Sequence, residues 1–250
     1  MTTTAQKPIQ SGFGPASTAA DVIAGIDLSG EVAIVTGGSS GIGVETERAL
    51  RSAGARVIIP ARDRDKAEAA LRGIDVEIET MDLIDPVSID AFTDRILSSH
   101  QPRHTLVNSA GIAGAPLTRD ARGYELHFAT NHLGHFQLAM RLLPALQRAK
   151  GARVVSVSAW AHSRAPIVFE DPMFERREYS PWMAYGQSKT ANILFALALD
   201  GRTKADGVRA FSLHPGTIIT PLSKHVSREA LRAAGIVDER GALSSIRRRT

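Results

Sequence analysis

Short β-branched apolar runs alternate along this chain with longer stretches of helix-forming composition. The runs are Val32–Thr36, 56–59, 76–79, Thr105–Asn108, 153–158 and Val208–Leu213. Their length and β-branched content predict six strands. Between them, Ile42–Ser52 and the segments 64–72, 87–98, 123–147 and 183–202 are predicted to be helices. Strand and helix taking turns is the pattern of βαβ units, in which parallel strands joined by right-handed helical crossovers form one sheet covered on both faces. Ligands of such sheets bind beyond the carboxyl ends of the strands, so functional residues are expected just after them.

The chain has 250 residues, 43% of them hydrophobic and 22% charged, which is enough to bury one substantial core. A polar arm over residues 1–28, most marked up to Ala20, is expected to precede a single domain over 29–250. The formal net charge of +4 comes from interspersed Lys and Arg, apart from Arg247, Arg248 and Arg249. That distribution argues against a nucleic-acid surface. With no cysteine, disulfides, thiolate catalysis and Cys-ligated zinc are excluded, and a cytoplasmic location is favoured. The first 28 residues hold one Lys and no apolar core of a signal peptide, and nowhere do about 18 apolar residues follow one another. Neither export nor a membrane span is expected.

Chemistry enters at the end of the first predicted strand, which runs into Thr36-Gly37-Gly38-Ser39-Ser40-Gly41-Ile42-Gly43 and then into a helix. Glycines in a strand-to-helix turn let the backbone approach a pyrophosphate, and the helix start offers free N–H groups and the positive end of its dipole. The spacing TGGSSGIG resembles the TGxxxGxG pattern of the short-chain dehydrogenase/reductase family. That resemblance implies a Rossmann-type doubly wound parallel sheet binding NAD or NADP. The turn residues Thr36, Gly37, Ser39, Ser40, Gly41, Ile42 and Gly43 would then hold the cofactor.

At the end of the second strand an acidic residue favours NAD and a basic one NADP. The sequence there is Pro60-Ala61-Arg62-Asp63. Ala61 stands at what resembles the acidic NAD position, and Arg62 beside it supplies a cation for a 2′-phosphate. NADP is favoured, while Asp63 keeps NAD open. Asp82 resembles the family's adenine-contacting residue, with Leu83 alongside. Asn108-Ser109-Ala110-Gly111 resembles the NNAG turn with Ser109 in place of the second Asn, which assigns Asn108, Ala110 and Gly111 to the cofactor.

Tyr185 and Lys189 are four residues apart at the start of a helical run, so both side chains leave one helical face. A phenol titrates at about 10 in isolation, and a neighbouring ammonium favours its ionised form, as acid/base catalysis near neutral pH requires. The resemblance makes Tyr185 the proton donor and acceptor and Lys189 the group that lowers its pKa and binds the nicotinamide ribose. It also implies that Asn131 holds a water in a proton relay. The family's catalytic serine is the second of a Ser-Ser pair, which here reads Ser158-Ala159. In strict register Ala159 takes the position, and a local bulge would bring Ser158 into it. Pro215, Gly216, Thr217 and Thr220 match the family's PG segment at the nicotinamide, with Thr220 ahead of Thr217.

The resemblance extends from about Ile9 to about Gly241. Trp182-Met183-Ala184-Tyr185 with Ala191-Asn192-Ile193 resembles the retinol-dehydrogenase-like and WW-domain-oxidoreductase-like branch, which acts on bulky, often apolar carbonyls and alcohols. His132 and His135 lack a third ligand nearby, so no metal is expected. His162 reads as a substrate-loop residue and 170–178 as a solvated loop over the site. Only 30 residues follow Thr220, and 241–250 hold no β-branched strand, so the C-terminal part is expected to be shortened, which would leave a sheet edge open to homo-oligomerisation. A second reading follows from Ala159 and this ending: a truncated or catalytically impaired dinucleotide-binding protein with a regulatory or binding role. The first reading is an oxidoreductase acting on a small-molecule carbonyl or alcohol.

Overall fold

The computed structural model describes residues 11–14, 16–216, 218, 220–222, 229, 232 and 237 of the chain. Six strands form one parallel sheet in the order β3-β2-β1-β4-β5-β6. They are β1 Val32–Thr36, β2 Arg56–Ala61, β3 Glu77–Thr80, β4 Thr105–Asn108, β5 Ala152–Val157 and β6 Val208–Leu213. The helices are α1 Ala19–Ile23, α2 Ile42–Ser52, α3 Arg64–Ala70, α4 Pro86–Ser98, α5 Leu126–Phe128, α6 Gly134–Arg148 and α7 Pro181–Thr203. This is the doubly wound α/β architecture that the alternating pattern predicts.

Alternate residues of β1 serve opposite cores. Val32 and Ile34 pack with Phe92 of α4, Leu138 and Leu142 of α6 and Phe195 of α7. Ala33 and Val35 pack on the other face with Val57, Ile59 and Leu71, against which Val44 and Leu50 of α2 lie. A strand buried on both sides must be apolar throughout, and every residue of β1 is buried.

Caps explain where the helices begin. Asp85 and Ser180 accept backbone N–H bonds as N-caps of α4 and α7, and each is followed by a proline at the first helical position. Proline fits there because its missing N–H would be unpaired anyway, so both helices begin slightly before the predicted 87 and 183. The second strand runs past Ile59 through Pro60. The Ala61 carbonyl accepts from Met81 on the β3 side, and neighbouring strand groups alternate sides, so the Pro60 nitrogen faces β1. Pairing between β1 and β2 ends at Ile34 and Ile58, so no ladder bond is lost.

The predicted helix over 123–147 is broken. After α5 comes one π-helical turn, Ala129–Leu133, and only then α6. The extra residue per turn redirects the chain around Asn131, whose side chain binds backbone outside the helix. Gly134 allows the close approach that follows, because a Cβ there would lie 2.2 Å from the Leu83 carbonyl oxygen.

No helix among the described residues is long and apolar enough to cross a membrane. Among them β3 and β6 are the edge strands, and on β6 Phe211 and Leu213 are exposed. The expected C-terminal shortening falls on residues 223–250, which lie outside the described residues except Glu229, Arg232 and Val237.

Candidate active site

The strand order reverses between β1 and β4, where a doubly wound sheet opens a crevice. A cavity of about 1060 Å³ lies there, reaching from the ends of β1 and β2 to the start of α7. Its lining includes Thr36, Gly37, Ser39, Ser40, Gly41, Ile42, Gly43, Arg62, Asp82, Leu83, Ala110, Gly111, Ser158, Tyr185, Lys189, Pro215, Gly216 and Thr220. Three of the expected residues are elsewhere or outside view. Asn108 is buried beneath the wall, and Asn131 is fully buried behind it. Thr217 lies outside the described residues.

The glycine turn is closely built. Gly37 has φ 70°, and a Cβ on it would sit 2.8 Å from the Ala110 Cα. A Cβ on Gly43 would meet the Gly37 carbonyl oxygen at 2.2 Å, so the first turn of α2 rests directly on the preceding loop. Gly41, the N-cap of α2, provides no side-chain cap, which leaves the first amides of the helix facing the cavity for an anion.

A buried chain of hydrogen bonds joins this turn to the π-helical segment. Thr36 Oγ1 accepts from the Ser109 and Ala110 amides at 3.0 and 3.1 Å and lies 2.8 Å from His135 Nε2. His135 Nδ1 donates to the Asn131 carbonyl at 2.9 Å. A carbonyl can only accept, so Nδ1 carries the proton and Nε2 accepts from the Thr36 hydroxyl. Full burial pushes the His135 pKa down to about 4, which keeps the ring neutral. The sequence flagged His135 only as half of a histidine pair. Its spacing of four from Asn131 on a helix was the available signal.

Asn131 itself is spent on structure. Its Oδ1 accepts from the Ile112 amide at 2.9 Å, and its Nδ2 donates to the Ile112 carbonyl and to Ser188 Oγ at 3.0 and 2.9 Å. These bonds lock the loop after β4 onto α7. A Cβ on Gly111 would lie 3.1 Å from Asn131 Oδ1 and 3.6 Å from Lys189 Nζ, so Asn131, Lys189 and the β4 turn converge.

Ser158 borders the cavity with its hydroxyl turned toward α7. Its amide continues the ladder by donating to Leu213, and its Oγ donates to the Lys189 carbonyl at 3.0 Å. Ala159, extended at φ −153° and ψ 159°, takes the next position on the cavity wall. Both residues just past the end of β5 therefore border the cavity, and only the Ser158 hydroxyl is engaged by α7.

Tyr185 is buried except where it borders the cavity, and its hydroxyl has no hydrogen-bond partner among the described residues. Burial pushes its pKa up to about 12. Lys189 Nζ lies 5.7 Å from the Tyr185 ring centroid and donates to the Val157 carbonyl at 3.0 Å. Complete burial pushes its pKa down to about 8. Desolvation of the phenolate sets the direction of the Tyr185 shift, with the Lys189 ammonium 5.7 Å from its ring centroid.

The segment 170–178 also departs from expectation. Asp171 accepts from the amides of Glu175, Arg176 and Arg177. The Arg177 guanidinium stacks 3.7 Å over Phe174 and donates to Gln187 Oε1 of α7 at 2.6 Å. This is an anchored strap rather than a solvated loop, and it borders a separate, smaller hollow with Tyr124 and Leu133. Sequence reading also missed a buried group next to Tyr185. Glu125 holds His127 Nδ1 at 2.7 Å, Tyr179 reaches both, and His127 meets the Tyr185 ring edge-on. His162 donates from Nδ1 to Ala159 at 2.7 Å and does not border the cavity.

Comparison with known proteins agrees with this geometry. The family model for short chain dehydrogenase matches residues 31–231. A probable oxidoreductase of Streptomyces lividans is 47% identical over 223 residues, covering 86% of this chain and 74% of that one. Human retinol dehydrogenase 12 is 41% identical over 209 residues, covering 81% of this chain and 66% of its own length, so this chain spans slightly under two thirds of that relative. A metagenomic short-chain oxidoreductase solved in complex with NADP is 29% identical, with a TM-score of 0.62, covering 80% of this chain and 85% of that one. The chain belongs to the short-chain dehydrogenase/reductase family of NAD(P)-dependent oxidoreductases, in its retinol-dehydrogenase-like branch.

Proposed function

We propose that this protein transfers hydride between NADP(H) and the carbonyl or alcohol carbon of a largely apolar small molecule, with Tyr185 as general acid/base. The observation that carries the reading is the Tyr185 hydroxyl, without a hydrogen-bond partner among the described residues, on the same cavity as the glycine turn and Arg62. The cavity fits a dinucleotide: backbone packs so tightly around Gly37 and Gly43 that no side chain could be added there, and the start of α2, without a side-chain cap, offers its first amides to an anion. When bound, the nicotinamide supplies or accepts the hydride.

The chain's own residues have separable tasks. At neutral pH a phenol with pKa about 12 stays protonated, so Tyr185 holds the proton that a carbonyl oxygen needs on reduction. Lys189 uses one N–H on Val157 and has two left for ribose hydroxyls. Asn131 acts by holding the Ile112 backbone and Ser188 in place beside that ammonium. With the Ser158 hydroxyl turned to α7 and Ala159 on the wall, Tyr185 is the residue that supplies a hydroxyl proton here. Thr220 lies against Gly41 of the glycine turn and Gly216 borders the same cavity, while Asp82, oriented by accepting from the Ile84 amide at 3.1 Å, would border the adenine.

Two exposed cations, Arg62 and Lys66, border the adenosine end of the cavity. Asp63, the carboxylate that could serve NAD, caps α3 by accepting from the Lys66 amide at 3.0 Å. That balance favours a 2′-phosphate, which a guanidinium can pair with bidentately. Arg62→Ala is expected to weaken NADPH binding by about 1 to 3 kcal/mol, the range of charge-assisted hydrogen bonds, and to leave NADH binding little changed. Titration of both cofactors against both proteins tests it, and equal losses would refute the assignment.

Ala159 supports a second reading, a protein that binds the dinucleotide without turnover. A wall without the serine hydroxyl has one donor fewer for a substrate oxygen.

A further inference from the structure

The wall of the cavity beside Tyr185, away from Arg62 and Lys66, is built from Trp160, Ala161, Arg164, Ala165, Trp182 and Met183. Five of these offer apolar or aromatic surface, and Arg164 is the exception. The charged residues bordering the cavity elsewhere are Lys189, already assigned, and Arg62, Asp63, Lys66 and Asp82 at the adenosine end. No described carboxylate at this end answers Arg164, and none forms an ion pair with it among the described residues.

Arg164 is also held in place. It closes the 3-10 turn Trp160–Arg164, and its guanidinium lies 4.7 Å from the Trp160 ring centroid. Stacking on an indole restricts a guanidinium while leaving its N–H edge free to donate. The turn is fastened to the helix that carries Tyr185, since Thr190 Oγ1 donates to the Ala165 carbonyl at 2.7 Å. Gly186 lets the two approach, because a Cβ there would meet the Ala161 carbonyl oxygen at 2.7 Å. Trp182 meets Tyr185 edge-on, so one rigid unit carries the proton donor, two indoles and the cation.

We infer that the substrate is an anionic carbonyl compound: an apolar or aromatic body beside the two indoles, with a carboxylate paired to Arg164 and its carbonyl at Tyr185. This rests on the proposed oxidoreductase reading and narrows its substrate class. Arg164 is exposed at the cavity border, where a carboxylate can reach it, and a wholly neutral ligand seated against the guanidinium would desolvate this cation without repayment.

The test uses benzoylpropionate and its methyl ester, which differ in charge and share the aryl ketone. With NADPH present, the acid is expected to exceed the ester in kcat/KM by about 10- to 100-fold, the scale of a charge-assisted hydrogen bond. Arg164→Gln is expected to bring the ratio near unity, and Arg164→Lys to restore part of it. A ratio near unity in the unmodified protein, or one unchanged in Arg164→Gln, overturns the inference. Binding of the two compounds to the protein–NADPH complex, read by tryptophan fluorescence, applies the same ratio where neither is turned over. Absence of turnover alone would count against the proposed function, and absence of a binding preference against the role of Arg164.

Discussion

Tyr185→Phe is expected to cut turnover by about 10²- to 10⁴-fold while cofactor binding stays intact, because the substitution removes the transferable proton and keeps the ring. The ring is what the structure uses for packing: it meets His127 and Trp182 edge-on and has the Lys189 ammonium above it. Its hydroxyl has no described hydrogen-bond partner, so removing it orphans nothing in the protein. Lys189→Ala should differ in kind. It removes the donor to Val157 and an ammonium from the cavity floor, so NADPH affinity should fall together with turnover. Unchanged turnover in Tyr185→Phe with every substrate reduced by the unmodified protein would remove it as the proton donor.

The second large effect is a loss of stability toward acid centred on His135. Its pKa is about 4 when folded and about 6.5 in an unfolded chain. Between those values the unfolded chain binds a proton that the folded chain refuses, so stability is full above about pH 6.5 and declines as pH falls toward 4. A gap of that size corresponds to about 3 kcal/mol. Burial also lowers the His132 pKa, which adds a decline of the same sign. Urea unfolding of the protein and of His135→Gln at pH values from about 7 down to 5 isolates the effect, before most carboxylates titrate. The unmodified protein should show the steeper decline, and equal slopes would show that His135 is not the neutral link between Thr36 and Asn131.

What could be read from sequence divides along physical lines. β1 and β4 were legible to the residue because strands buried on both faces leave an apolar, β-branched signature; β6 was legible from its alternation of buried and exposed positions at its start, Val208 to Ala210. Pro60 obscured the end of β2, since whether a missing N–H matters depends on which neighbour it faces. The glycine turn and the Tyr185 and Lys189 pair reach one cavity as their local spacings suggest, on a strand-to-helix turn and on one face of α7. The π-helical turn at Ala129–Leu133 was not, because its cause is a contact between Asn131 and Ile112, nineteen residues apart. The same holds for His135, whose partner Thr36 lies ninety-nine residues away, and for the strap around Asp171, whose polar composition hides an inward carboxylate. The direction of the Ser158 hydroxyl is likewise set at a distance in sequence, by the Lys189 carbonyl on α7.

The most direct test of the account measures NADPH binding and NADPH consumption on one preparation, against a panel of apolar and carboxylated aldehydes and ketones. The account predicts saturable binding together with carbonyl-dependent consumption that Tyr185→Phe abolishes without loss of binding. Tight NADPH binding with no consumption on any carbonyl would contradict it and leave a dinucleotide-binding protein without turnover.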